Sequence, residues 1–185
     1  MKRTVKRHDV IQPLDQNIRI IPLTRGYNTE IDAVEFERVS KLSWFALPSK
    51  KTSNVYAARM EHLPDGKKRL VLLHRFIMQC DGDVDHEDGN TLNNKKSNLR
   101  PCTDTQNGGN QKLAKNNTSG YKGVHWHNQA LKWQAGVFKK EILKRKYHSC
   151  GLFDDKIDAA RAYDRKAIEL FGDFARTNFS RADYE

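Results

Sequence analysis

The chain has 185 residues, 37% of them hydrophobic and 30% charged, and its 33 Lys and Arg outweigh 23 Asp and Glu to give a net charge of +10 and a pI of about 9.6. This balance is that of a globular protein, and no apolar run approaches the roughly eighteen residues a membrane span needs. A strongly basic chain points to a polyanionic partner, nucleic acid first.

The N-terminus, Met1-Lys2-Arg3, is basic but lacks the apolar stretch of a secretory signal, so a cytoplasmic protein is expected. Cys80, Cys102 and Cys150 are odd in number and far apart, with no Cys-x-x-Cys pair. Free thiols fit better than a disulfide framework or a thiolate zinc site.

In chain order, residues 1–69 read as a strand-rich scaffold. Residues 18–23 are β-rich and end at the turn Arg25-Gly26. Residues 30–40 suggest a short helix with Ile31, Val34, Phe36 and Val39 as apolar positions. Trp44-Phe45, residues 55–60 and residues 69–73 suggest strands around the turn Pro64-Asp65-Gly66. Nothing in this segment carries recognisable chemistry, although Lys50 and Lys51 could meet phosphate. Residues 70–114 form a second segment, rich in Asn, Asp and Gly after Asp81, and residues 115–120 have linker composition. Residues 121–180 show strand-like runs at 123–126, 133–138 and 146–152. A helix follows, capped by Asp154 or Asp155 and ended by Gly172, with an apolar stripe through Ile157, Ala160, Tyr163, Ala167, Ile168 and Phe171. Charge divides along the same line: residues 112–146 hold nine Lys/Arg and one acid, whereas residues 150–185 hold six Lys/Arg and eight Asp/Glu. The fold expected is α+β.

The chemistry-bearing residues are Val84-Asp85-His86-Glu87-Asp88-Gly89-Asn90, Asn93-Asn94, Asn98-Leu99-Arg100, Asn107 and Asn110. Phosphodiester hydrolysis requires a base to deprotonate water and a cation, held by ligands, to neutralise the phosphate and the leaving oxygen. Histidine titrates near neutrality, and Asp and Asn oxygens suit a hard ion such as Mg²⁺. Alternation along a strand lets Asp85 and His86 serve different partners. A calcium-binding EF-hand over residues 81–93 is excluded, because His86 stands where glycine is needed and Leu92 where glutamate is needed.

This constellation resembles the HNH, or ββα-metal, nucleases, particularly homing endonucleases of phage type. The resemblance implies a ββα-metal core holding one divalent ion, Mg²⁺ or Mn²⁺. It makes His86 the general base, Asp85 a metal ligand, Asn98 the asparagine that braces the loop and orients the histidine, and Asn107 the helix ligand, with Asn110 as its alternative. Gly108-Gly109 inside that helix costs about 2 kcal/mol relative to alanine, so a short helix is expected. His74-Arg75 resembles the family's lead-in strand, in a structural or phosphate-binding role.

Residues 119–124, 132–135, 151–153, 159–165, 171–172 and 177–179 resemble the Apetala-two/ethylene-response-factor DNA-binding domain. That family braces a three-stranded antiparallel sheet with one helix and lays the sheet in the major groove. The resemblance puts Lys122, His125, His127, Lys132 and Trp133 at contact-like positions. Lys139 and Lys140, with Lys144, Arg145 and Lys146, form a basic hairpin that is either a phosphate clamp or an ordinary solvated turn. Alternation sets Lys122, Val124 and Trp126 on one face and His125 and His127 on the other, so both sets cannot read DNA together. Trp126, Trp133 and Tyr163 have core packing as an alternative role. Lysine and neutral histidine lack arginine's bidentate fork to guanine, so looser base readout is expected.

The function expected is a site-directed, homing-type DNA endonuclease that cuts or nicks double-stranded DNA as a monomer, in the host cytoplasm if phage-encoded. A non-catalytic sequence-specific DNA-binding regulator is the alternative. An RNA-binding role is disfavoured, because a groove-reading sheet suits B-form DNA.

Overall fold

The structure, a computed structural model, describes residues 7–50, 52–141 and 144–184. Lys51 and the N-terminal Met1-Lys2-Arg3 lie outside the described residues. The chain divides into two compact units, Met1–Pro101 and Cys102–Glu185.

In the first unit, β1 (Ile18–Pro22) pairs antiparallel with β2 (Asn28–Asp32). The β2 segment falls where a helix is predicted. Thr29 and Ile31 are buried and Asn28 and Glu30 exposed, a period of two, so the sheet partner overrides the helical spacing. Helix occupies only the end of that segment, as α1 (Phe36–Ser40) after a 3-10 turn. The strands β3 (Phe45–Pro48), β4 (Val55–His62) and β5 (Lys68–Leu72) form an antiparallel sheet in that order.

Next comes α2 (Leu73–Met78), a helix where the lead-in strand is expected. Leu73 and Ile77 are four apart and both fully buried, which helical spacing achieves on one face. The strands β6 (Asp83–His86) and β7 (Leu99–Cys102) form a two-stranded sheet. Leu23, Ile31, Val39, Trp44, Leu73, Ile77, Val84 and Leu99 share one apolar core, so the scaffold strands and the β6–β7 pair are packed as one body.

The second unit begins with α3 (Asp104–Gly109), entered through a capping box in which Thr103 and Gln106 satisfy each other's backbone amides. Then β8 (Val124–His127), β9 (Lys132–Lys140) and β10 (Arg145–Phe153) form an antiparallel sheet with β9 in the centre, and α4 (Lys156–Phe171) packs against it. The carboxylate of Asp155 caps α4 by accepting from the amides of Ile157 and Asp158, and Gly172 ends it with φ of 55°. Val124, Ala135, Val137, Ala160, Tyr163, Ala167 and Phe171 make the core between sheet and helix.

Two glycines in this unit are required by close approach. A Cβ on Gly123, whose φ is +74°, would sit 2.0 Å from the Tyr163 ring, and one on Gly109 would sit 2.7 Å from Phe171. Gly109 is thus the point where the short α3 meets α4. The three cysteines are half-buried and are not joined in disulfides. Among the described residues, no helix is long and apolar enough to cross a membrane.

Candidate active site and nucleic-acid interface

Strand β6 carries Val84 into the core and delivers Asp85 and His86, both buried, at its end. One oxygen of Asp85, Oδ2, accepts from Arg100 Nε at 3.0 Å and from Nη2 at 2.9 Å, so β7 holds the β6 carboxylate by a charged fork.

The imidazole of His86 meets Asn94: Nε2 lies 3.3 Å from Oδ1. The orientation of that amide is set by its far side. Asn94 Nδ2 donates to Thr29 Oγ1 at 2.7 Å, and the Thr29 hydroxyl donates onward to the carbonyl of Leu92 at 2.8 Å. An amide oxygen can only accept, so Nε2 carries the proton and the basic lone pair of the neutral ring sits on Nδ1. Burial holds the His86 pKa below the usual imidazole value, against the Asn94 contact and the charges of Asp85 and Asp88, which raise it. The ring is therefore neutral at neutral pH and competent as a base.

A second buried histidine lies against the first. The rings of His74 and His86 are 4.9 Å apart and nearly perpendicular, with Tyr56 close to both. Burial, followed by the charges of His86 and Arg75, drives the His74 pKa down to about 3, so this ring stays neutral.

Asn98 works on the loop between β6 and β7. Its Oδ1 accepts from the Asp88 amide at 3.0 Å, and its Nδ2 donates to Asp88 Oδ1 at 3.0 Å and to the Asn93 carbonyl at 2.8 Å. Burial raises the Asp88 pKa, but hydrogen bonds from Asn93, the Asn90 amide and Asn98 outweigh it and keep the carboxylate ionised. The amide found at the imidazole is that of Asn94, for which sequence reasoning gave no role beyond the family's asparagine pair. Its tie to Thr29, 65 positions away, has no local sequence signal. Asn107 is exposed on α3 and Asn110 is buried at the end of that helix, both in the second unit.

In the second unit, Ala135 and Val137 point to α4, so Gln134 and Phe138 point away from it. His125 lies opposite Gln134 and His127 opposite Lys132, which puts both histidines on the open face with Lys140. Trp133 packs at the helix side, edge-on to the half-exposed Trp126 at 5.2 Å, and Lys139 shares that side. Tyr163 is core.

Lys122 turns inward. Its Nζ donates to the Gly109 carbonyl at 2.8 Å and to that of Arg176 at 3.4 Å, and burial lowers its pKa to about 8. The side chain ties the start of the sheet region to α3 and does not lie beside His125 and His127. Lys132 pairs with Asp154 at 3.1 Å, and Lys140 pairs with Asp104.

No protein-family model matches the chain. An uncharacterized HNH endonuclease of Acanthamoeba polyphaga mimivirus is 30% identical over 187 residues, covering 96% of this chain and 89% of that protein. Protein 3.8 of Escherichia phage T7 is 36% identical over 93 residues, covering 50% of this chain and 73% of that protein. The chain belongs to the HNH endonuclease family.

It combines this with an Apetala-two-like region: APETALA2-like protein 2 of Oryza sativa is 43% identical over 67 residues, or 36% of this chain. The chain spans only 15% of the length of that plant relative.

Proposed function

We propose that the protein is a site-directed, homing-type endonuclease that nicks or cuts double-stranded DNA, with His86 as general base on one divalent ion, Mg²⁺ or Mn²⁺. The observation that carries this reading is the buried Asp85–His86 dyad, with a neutral imidazole whose Nε2 is engaged by Asn94.

Among the described residues, no three His, Cys, Asp or Glu side chains are grouped to hold a metal. A single carboxylate with amide and water oxygens is a donor set that suits Mg²⁺, which keeps several waters and takes the remainder from phosphate. Asp85 would hold the ion, which when bound would neutralise charge on the scissile phosphate and the leaving oxygen. Asn107 as the helix ligand, with Asn110 as its alternative, and the ββα-metal core itself rest on the resemblance alone.

In this reading His86 accepts the proton of the attacking water at Nδ1. Asn94 keeps the ring from rotating, and Arg100 fixes the Asp85 carboxylate. Asn98 holds the loop in shape through Asp88 and Asn93. The β8–β9–β10 sheet docks the duplex through its open face, where His125, His127, Lys132 and Lys140 lie, while Trp133 and Lys139, on the side turned to α4, stand outside that face. The protein acts as a monomer in the cytoplasm.

A supercoiled plasmid library with random inserts, incubated with the protein and Mg²⁺, tests the assignment. Wild type produces nicked or linear DNA at its site. His86→Ala slows this by about 10²–10⁴-fold, the range of general-base contributions. Asp85→Ala abolishes cutting but retains binding in a gel-shift assay. Cutting by His86→Ala at the wild-type rate would remove His86 from the chemistry, and binding without cutting under any divalent ion would mark a regulator.

A further inference from the structure

We infer that the open face of the β8–β9–β10 sheet selects A·T base pairs in the target, Phe138 and Leu152 meeting thymine methyls and Gln134 an adenine edge. The inference rests on the docking of that sheet proposed above.

The apolar side of the sheet is already used, since Val124, Ala135 and Val137 are buried against α4. The opposite side nevertheless carries large apolar groups in water: Phe138 is 56% exposed and Leu152 is 45% exposed. Register places them in separate rows of one face. Phe138 is paired with Tyr147 and Leu152 with Gln134, and four positions along β9 separate the rows by about 14 Å. Tyr147 lies over Gly136 between them, its hydroxyl turned to the Ala135 carbonyl at 3.4 Å. It is spent on the sheet itself, whereas Phe138 and Leu152 project.

The polar groups of these rows agree with the apolar ones. Gln134 is held by His125, whose Nε2 lies 3.1 Å from Oε1. A glutamine amide is the side chain that pairs in bidentate fashion with adenine N6 and N7, and an apolar side chain in the major groove recognises the thymine methyl.

Among the described residues, no arginine, the usual reader of guanine, is paired in register with Gln134 or Phe138. Arg145 lies toward the hairpin end with its guanidinium 5.3 Å above the Phe138 ring, in a row with Lys140, where the positive charge complements phosphate. The middle of the face is thus apolar and amide, with a basic rim.

Replacing thymine by deoxyuridine removes only the methyl. The full-length protein, in chelator to prevent cutting, is allowed to enrich bound duplexes from a random-sequence pool, and these duplexes are resynthesised with deoxyuridine in place of thymidine. The enriched sequences are expected to be A·T-rich at their core and to lose affinity roughly tenfold on demethylation, about two buried methyl contacts. Phe138→Ala with Leu152→Ala brings the thymine-to-uracil ratio close to one, and Phe138→Leu keeps most of it. Both variants alter exposed positions, and far-UV circular dichroism reports their folding. Equal affinity for the thymine and uracil forms by wild type, or a G·C-rich core, overturns the inference. Retention of no duplex at all overturns the docking on which it rests, and the inference with it.

Discussion

The His86 imidazole meets the amide of Asn94, and Asn94 is held in turn by the Thr29 hydroxyl. The Asp85-His86 pair, its loop glycine and the asparagine spacing are all local, so the sequence points to the loop that carries the dyad and Asn98, but the contact to the histidine expected of Asn98 is made by Asn94. That Asn94 is the side chain on the imidazole depends on Thr29, which folding brings up from 65 positions earlier. Asn94→Ala removes the contact that fixes the ring's tautomer and leaves the Thr29 hydroxyl without its donor. Cutting should fall about tenfold or more at saturating DNA while the gel-shift affinity stays near wild type, and the unfolding free energy should drop by about 1–3 kcal/mol. Unchanged cutting by this variant would mean that the ring is oriented by other groups. Lys122 teaches the same lesson in reverse. Alternation could put it on a face but could not tell that its ammonium turns to the carbonyls of Gly109 and Arg176.

Among the elements, those with a strong local signal came out as expected, and those decided by pairing did not. The three strands of the second unit and α4, with its Asp155 cap and Gly172 stop, are legible because period, cap and turn all agree. The β2 strand was hidden inside a helical spacing, and α2 inside a strand-like apolar run. In each case the partner element, which no single segment encodes, decided the outcome. The glycines make this testable. Gly123→Ala adds both left-handed strain and a clash with Tyr163, so it should lower the urea-unfolding free energy of the second unit by about 3 kcal/mol. Gly120, with φ of +83° and no neighbour within 4 Å, isolates the strain alone and should cost about 1 kcal/mol as alanine. Equal losses at the two positions would remove the packing argument.

At the scale of the whole molecule, charge was legible from composition, but its local engagement was not. Lys132 and Lys140 are already paired with Asp154 and Asp104. Such exposed pairs contribute about 0–1 kcal/mol, so DNA phosphates can displace them at little cost. If the basic region engages about six phosphates, the logarithm of the binding constant should fall with the logarithm of salt concentration with a slope near −5. A slope close to zero would sink the docking. The division into two units also differs from a reading by composition, because the N-terminal strands share one core with β6 and β7.

The chain of hydrogen bonds from Leu92 through Thr29 and Asn94 to His86 bears on how portable this nuclease is. The amide of Asn94 donates to the carbonyl of Glu30, and the amide of Glu30 to that of Leu92, so β2 is stitched to the loop by its backbone as well as through Thr29. A fragment cut from the chain at residue 70, where the second sequence segment begins, would keep Asp85, His86, Asn94 and Asn98. It would lose β2, whose Thr29 holds the Asn94 amide that meets the His86 imidazole. Grafting this activity onto another DNA-binding protein therefore means transplanting residues from about position 18 onward, and shuffling of the motif alone between genes would move a sequence without its reactivity.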